Sequence, residues 1–172
     1  MAWERLGRWL QPDLQVERLV EVPLESLWRR GIRALIVDLD NTVTFWNSPV
    51  VPEDARAWFR SAREQGFGLC LSSNNVYTRA AGIARSLGVP VVCSAGKPRR
   101  RAFRQMLAVL GSRPEETAVI GDQIFTDVLG GKRLGLFTVL VRPLGPQEFV
   151  VTRLLRRLER LVMRSWPERG YE

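Results

Sequence analysis

Short apolar runs alternate with amphipathic segments along most of the chain. Five runs have the residue types and lengths of buried β-strands, and they cover residues 32–37, 67–71, 89–93, 117–120 and 136–141. A helix is predicted between the first two runs because Pro52 opens a segment that Gly66 closes. Its apolar positions follow helical spacing, at Ala55, Trp58, Phe59 and Ala62.

Two further helices are predicted, one over residues 77–87 and one bracketed by Pro98 and Gly111. Repetition of strand, helix and strand is typical of an α/β fold in which right-handed crossovers join parallel strands. The pattern therefore predicts a Rossmann-like parallel sheet with helices on both faces. In such sheets a ligand binds beyond the carboxyl ends of the strands.

A chain of 172 residues fits one domain. We expect a single domain over residues 1–172, with 1–30 as an N-terminal extension and 147–172 as a C-terminal basic amphipathic helix, both appendages. No apolar run reaches the roughly 18 residues that a membrane-spanning helix needs, and the N-terminus lacks a signal peptide's apolar stretch. These features favour a cytoplasmic location, with contact at a membrane surface left open.

Histidine is absent from the sequence. Its absence excludes Ser-His-Asp and Cys-His catalysis and the usual zinc sites, so carboxylates must carry any proton transfer. Cys70 and Cys93 lie in apolar runs without CxxC spacing, which favours small buried hydrophobes over a nucleophilic thiol.

Asp38 and Asp40 stand two residues apart where the first apolar run ends. Alternation along an extended chain puts both carboxylates on one side of the strand's end, close enough to share a metal ion while performing different tasks. Two like charges held that close need a cation or a proton between them. The alternative is an ordinary acidic turn whose Asp and Asn side chains accept from backbone N–H groups.

Three more polar clusters follow later in the chain. They are Ser72-Ser73-Asn74-Asn75, Gly96-Lys97-Pro98, and the segment from Gly121-Asp122 to Asp127. Hydroxyl and N–H donors, a cation before a helix and several carboxylates are the groups that a phosphate and its counter-ion require. A set rich in oxygen and poor in nitrogen and sulfur favours Mg²⁺ over zinc or copper, and Mg²⁺ beside anion donors indicates phosphoryl chemistry.

Taken in order, these clusters resemble motifs one to four of the haloacid dehalogenase (HAD) superfamily of aspartate-nucleophile phosphatases. The strings DLDNT, SSNN, GKP and GDQIFTDVLGG are similar to the YqeG-type branch, HAD phosphatases of the IIIA class related to mitochondrial phosphatidylglycerophosphate phosphatases. The resemblance extends over about residues 10–160. It implies a HAD-like fold and Mg²⁺-dependent phosphomonoester hydrolysis through an aspartyl-phosphate.

The resemblance also implies a role for each matched residue. Asp38 is the expected nucleophile, and Asp40 the acid that protonates the leaving oxygen and then deprotonates water. The expected metal ligands are Asp38, Asp122, Asp127 and the backbone carbonyl of Asp40. The expected phosphate contacts come from Ser73, Lys97 and backbone N–H groups. The substrate-binding set also includes Asn41, Thr42 and Asn74. Asp127 is expected either to support the metal or to orient Lys97.

The spacing of the motifs bears on substrate size. The intervals between Thr42, Ser73 and Lys97 are each filled by a predicted helix and strand, so neither holds a cap domain. In HAD enzymes a missing cap resembles members that act on bulky phosphates, because the site stays open. Only residues 43–51, with Phe45 and Trp46, have the length for a small flap, and these aromatic residues are as well explained by packing on the domain.

A net charge of +8 favours anionic partners. Residues 151–164 place leucines on one helical face and arginines on the other, which suits either a membrane interface or a helix packed on the sheet. The leading hypothesis is a phosphatase of a bulky or membrane-surface phosphate, with phosphatidylglycerophosphate as the named candidate. The alternatives are a nucleic-acid or ribosome-associated protein on a HAD scaffold and a nucleic-acid end phosphatase.

Overall fold

The fold is built on a six-stranded parallel sheet. The computed structural model describes residues 9–74, 77–93 and 96–145, together with Glu159 and Met163. The strands are Leu14–Val16 (β1), Ala34–Asp38 (β2), Gly68–Ser73 (β3), Val91–Cys93 (β4), Thr117–Gly121 (β5) and Phe137–Val141 (β6). Their order in the sheet is β1-β6-β5-β2-β3-β4, and every neighbouring pair is parallel. The predicted fold class is confirmed.

Helices cover both faces of this sheet. They are Leu24–Arg29 (α1), Glu53–Glu64 (α2), Tyr77–Leu87 (α3), Arg100–Leu110 (α4) and Leu129–Lys132 (α5), with a short π-helix at Ile124–Val128. Leu35 and Val37 pack in a core with α1, α2 and α3, whereas Ile36, between them on β2, packs with α4. This alternation follows from the period of two along a strand. Strand β2 is buried on both faces, as a central parallel strand must be.

The chain reverses its direction of sheet building beside β2. Strands β3 and β4 are added on one side of β2, and the chain then returns to place β5 on its other side. Parallel α/β sheets bind ligands at such a switch point, outside the carboxyl ends of the strands. A ligand-binding site is therefore expected at the carboxyl ends of β2 and β5.

The N-terminal segment differs from the extension expected from the sequence. Strand β1 pairs with β6 at the sheet edge, and Leu19, Val22 and Leu27 are buried in the main core. Strand β1 has three half-buried residues, too few to show a clear apolar alternation. The predicted C-terminal helix over 147–172 lies outside the described residues apart from Glu159 and Met163. Among the helices that the structure describes, none is long and apolar enough to cross a membrane.

Candidate active site

Three carboxylates and one ammonium converge at the switch point. Asp38 ends β2, Asp122 follows β5, and Asp127 lies in the π-helix; one oxygen of each lies within 4.8 Å of the others. The Lys97 Nζ donates to Oδ1 of Asp38 at 2.5 Å and to Oδ1 of Asp127 at 2.6 Å. All four residues are buried. The structure thus brings together four residues that the sequence placed in three separate motifs.

Electrostatics at this cluster are unbalanced, because three carboxylates face the Lys97 ammonium. Burial raises the pKa of Asp38 well above its usual value, Lys97 opposes that shift, and Asp127 and Asp122 add to it. For Lys97, burial lowers the pKa, but the Asp127 and Asp38 carboxylates outweigh burial and raise the pKa above its ordinary value. Lys97 is therefore held as a cation, and the cluster favours additional positive charge.

The donor set fits a divalent cation. Asp38, Asp122 and Asp127 offer buried carboxylate oxygens within one small volume, and hard oxygen ligands suit cations such as Mg²⁺ or Mn²⁺. Such an ion would relieve the repulsion among the three carboxylates and favour their ionised forms. The Asp40 side chain does not belong to this group of three carboxylates. The prediction that Asp40 binds the metal through its backbone carbonyl therefore stays a prediction.

Asp40 has a different environment from Asp38. Its Oδ1 forms an ion pair with Arg79 and accepts a hydrogen bond from the backbone N–H of Asn47 at 3.3 Å. Its Oδ2 accepts a hydrogen bond from the Ser73 hydroxyl at 3.4 Å. The Asp40 side chain is 15% exposed, against 8% for that of Asp38. The two carboxylates of the first motif therefore occupy distinct settings, as different chemical tasks require.

A tight turn after β2 presents these groups. The N–H groups of Val43 and Thr44 donate to the carbonyl of Leu39, and Asn41 adopts a left-handed conformation with φ 60°. Asparagine tolerates this conformation better than most residues do. Thr42 is buried, and its hydroxyl has no hydrogen-bond partner among the described residues.

The two serines at the end of β3 divide their contacts. Ser72, which pairs in register with Asp38, accepts a hydrogen bond from Lys97 Nζ at 3.1 Å. Ser73 is buried and donates to Asp40. Asn74 is exposed, and its Oδ1 accepts from the Lys97 backbone N–H at 3.2 Å. Asn75, in the same predicted cluster, lies outside the described residues.

The sequence patterns did not predict the roles of two residues near the site, Arg79 and Glu159. Arg79 lies in the first turn of α3, where the positive end of the helix dipole repels a cation. This position in the sequence was a signal that Arg79 has an acidic partner elsewhere in the fold. Glu159 is buried and accepts from the backbone N–H groups of Ile124, at 2.7 Å, and Phe125, at 3.4 Å. It therefore holds the start of the π-helix that carries Asp127. Nothing local in the sequence links Glu159 to a segment 35 residues earlier.

Comparison with known proteins agrees with this geometry. A family model described as HAD-hydrolase-like matches residues 94–143. The chain is 33% identical over 166 residues to a Bacillus subtilis protein named as the probable phosphatase YqeG, with 96% of each chain covered. The chain belongs to the YqeG-type branch of the HAD superfamily. This HAD chain is a phosphatase that hydrolyses phosphomonoesters.

More distant relatives of this HAD phosphatase are similar over parts of their length. A chloroplastic and mitochondrial protein of Arabidopsis thaliana named phosphatidylglycerophosphate phosphatase 1 is 26% identical, and the match covers 92% of this chain and 49% of that protein. The cobalt-bound form of the deoxy-D-mannose-octulosonate 8-phosphate phosphatase from Haemophilus influenzae shares the fold, with a TM-score of 0.53 and 14% identity over 78% of this chain and 89% of that one.

The cysteines of this HAD phosphatase do not form a competing nucleophile. Burial raises the pKa of the Cys70 thiol to about 12, and burial also raises the pKa of Cys93. Both are free cysteines, and neither belongs to the cluster of Asp38, Asp122 and Asp127. A raised pKa keeps a thiol protonated and unreactive at neutral pH.

Gly121, at the end of β5, leaves room for Asp127. A Cβ at position 121 would lie 2.3 Å from the Asp127 carboxyl carbon, so we expect Gly121→Ala to displace that carboxylate. Calorimetric titration with Mg²⁺ should show at least about tenfold weaker binding, since the loss of even an outer-shell partner weakens metal affinity by that much. Gly82→Ala on α3 is the matched control, since a Cβ there meets nothing within 4 Å. Equal Mg²⁺ affinity of both variants would contradict the prediction.

Proposed function

We propose that this HAD phosphatase is Mg²⁺-dependent and works through an aspartyl-phosphate on Asp38. The observation that carries the proposal is the buried cluster of Asp38, Asp122 and Asp127 against Lys97, with Asp40 beside it in a separate environment. A nucleophile must stay ionised, and a cation bound at the cluster would favour that form of the buried Asp38 carboxylate. An acid and base must exchange a proton, and Asp40 has a separate setting for that task.

In the proposed reaction, a carboxylate oxygen of Asp38 attacks phosphorus and the bond to the leaving oxygen breaks. Asp40 gives its proton to that oxygen, then takes a proton from the water that attacks the aspartyl-phosphate, which releases inorganic phosphate and restores Asp38. Lys97 neutralises charge on the phosphate oxygens, with the Ser73 hydroxyl and the backbone N–H groups of Thr42 and Asn74 as further donors. The backbone N–H of Asn41 donates to the Thr44 carbonyl at 2.8 Å and shapes the turn instead. A bound Mg²⁺, held by Asp38, Asp122, Asp127 and the Asp40 carbonyl, would supply charge neutralisation between carboxylate and phosphate.

For the substrate, we propose a phosphomonoester on a bulky or membrane-surface molecule, with phosphatidylglycerophosphate as the candidate. The name of the Arabidopsis relative supports it. The loops between β2, β3 and β4 also support it, because their described parts hold one helix each and no cap domain. Phe45 is 53% exposed and Val50 67% exposed, so the loop that follows Asp40 presents apolar surface. Peripheral membrane contact through residues 147–172 stays a sequence-based prediction.

A panel of phosphomonoesters tests this proposal. Metal-free protein is supplied with Mg²⁺, Ca²⁺ or neither, and phosphate release is measured from phosphatidylglycerophosphate in mixed micelles and from soluble sugar phosphates, nucleotides and a phosphoprotein. Phosphatidic acid in the same micelles is the control for surface concentration, because it shares the interface and lacks the phosphoglycerol headgroup. We expect Mg²⁺-dependent release with kcat/KM at least about tenfold higher for phosphatidylglycerophosphate, a difference of about 1.4 kcal/mol.

Three results would reject parts of the proposal. A clear preference for a soluble metabolite would reject the lipid substrate and leave the phosphatase mechanism standing. A 5′-phosphorylated oligonucleotide is included because Arg99, Arg100, Arg101 and Arg104 are exposed beyond Lys97 and would suit a nucleic-acid backbone. Preference for that oligonucleotide, weakened by salt, would favour the end-phosphatase alternative. RNA binding without any phosphatase activity would favour the binding-protein alternative.

A further inference from the structure

Arg79 connects three parts of the structure that no single motif contains. Its guanidinium forms an ion pair with Asp40 Oδ1, donates to the backbone carbonyl of Ser48 at 2.9 Å and lies 3.5 Å from the Thr44 hydroxyl. The Arg79 side chain is 16% exposed, so these contacts are largely shielded from water. One side chain on α3 thus holds both the second carboxylate of the first motif and the loop that follows it.

The position of Arg79 on its helix is costly unless it has an acidic partner. It lies in the first turn of α3, and that turn contains no acidic residue. A cation near a helix N-terminus is unfavourable because it faces the positive end of the helix dipole. The Asp40 carboxylate offsets that cost, and its ion pair with Arg79 fixes the position of Oδ1.

The two oxygens of Asp40 have different partners. Oδ1 is engaged by the Arg79 guanidinium and by the backbone N–H of Asn47 at 3.3 Å, whereas Oδ2 has the longer contact to the Ser73 hydroxyl at 3.4 Å. A guanidinium is always protonated and donates in a fixed planar geometry, so it anchors one carboxylate oxygen and aims the other. Because the guanidinium favours negative charge on Oδ1, the proton of the acid form of Asp40 lies on Oδ2.

We propose that Arg79 is a positioning residue that anchors Asp40 by Oδ1, so that Oδ2 exchanges the proton with the leaving oxygen. The proposal rests on the proposed function, because it requires Asp40 to be the acid. A general acid contributes most when the leaving group is poor, since a good leaving group departs without a proton. Loss of Arg79 should therefore harm poor leaving groups more than good ones.

The test compares phenyl phosphate with 4-nitrophenyl phosphate, which differ by one ring substituent and strongly in leaving-group quality. For Arg79→Ala we expect kcat/KM to fall about tenfold more for phenyl phosphate than for 4-nitrophenyl phosphate, a fraction of the 10²–10⁴-fold that general acid catalysis supplies. Arg79→Lys keeps the charge without the planar fork and should lie between parent and Arg79→Ala. Arg85→Ala, an exposed arginine of the same helix, is the control and should match the parent.

Asp40→Asn, alone and combined with Arg79→Ala, completes the test. If Arg79 acts through Asp40, the double variant shows the same leaving-group dependence as Asp40→Asn alone, because the interaction is already lost. Equal losses for both substrates in Arg79→Ala and Arg79→Lys, beside a steep dependence in Asp40→Asn, would overturn the proposal and leave the proposed function intact. A flat response in Asp40→Asn would instead reject Asp40 as the acid, and the inference about Arg79 with it.

Discussion

Asp38→Asn should abolish phosphate release while the fold stays intact. An amide has no ionised oxygen to attack phosphorus, and removal of a covalent nucleophile typically lowers kcat by about 10⁴-fold or more. The Asp38 side chain lies 2.5 Å from Lys97 Nζ in a buried cluster, and asparagine preserves its shape. Acid quenching of the parent protein with a radiolabelled phosphomonoester should trap protein-bound phosphate, and the variant should trap none.

The same substitution should not destabilise the metal-free protein. Burial raises the pKa of Asp38 above its unfolded value, so the charged carboxylate costs stability at neutral pH, and this cost disappears as the pH falls through the folded-state pKa. The variant's melting temperature in chelator at pH 7 should equal or exceed that of the parent. Its advantage should shrink as the pH is lowered, because protonation removes the same charge from the parent.

Asp54→Asn is the control for Asp38→Asn. Asp54 pairs with Arg18 on the surface, where its side chain is 44% exposed, and such exposed pairs contribute about 0–1 kcal/mol. We expect its turnover to stay within about twofold of the parent, as for most surface changes. Retained turnover by purified Asp38→Asn would remove Asp38 from the nucleophile's role, whatever its effect on stability.

The core of the fold follows from local patterns in the sequence. Helix α2 begins at Glu53, directly after Pro52, and buries the predicted stripe Ala55, Trp58, Phe59 and Ala62. Strand β2 was predicted because its run is apolar throughout, and it proves to be the central strand beside the switch point. Strand β1 was missed because three half-buried residues at an edge leave no period to detect.

The site was predictable only as far as motifs reach. The sequence placed Asp38 and Asp122 after apolar runs and Lys97 before a helix, and parallel strands bring their carboxyl ends to one edge of the sheet. Contacts between side chains from different elements depend on the tertiary structure, which motifs do not specify. The pairing of Arg79 with Asp40 and the hydrogen bond from Lys97 to Ser72 depend on how α3 and the loop after β4 cross that edge. The roles assigned to these residues remain predictions that the variants test.

Lys97→Met should strongly destabilise the metal-free protein. The Lys97 side chain is 2% exposed and bonds to Asp38, Asp127 and Ser72, so its loss leaves buried carboxylates without their cation. Removing one partner of a buried ion pair costs about 3–5 kcal/mol. For a protein of this size we expect the melting temperature in chelator to fall by more than about 6 °C. Turnover with Mg²⁺ should fall by about 100-fold or more, as for loss of one donor to the transition state.

Lys132→Met is the matched control, because Lys132 also pairs with an aspartate at 2.5 Å but has a more exposed side chain, at 21%. We expect it to cost less than about 1 kcal/mol. Saturating Mg²⁺ should narrow the gap between Lys97→Met and the parent, since added positive charge compensates for the lost ammonium. If Lys97→Met proves too unstable to purify, addition of Asp127→Asn should recover part of the loss by removing one uncompensated carboxylate. Equal melting temperatures of Lys97→Met and Lys132→Met in chelator would show that Lys97 does not hold the carboxylate cluster together.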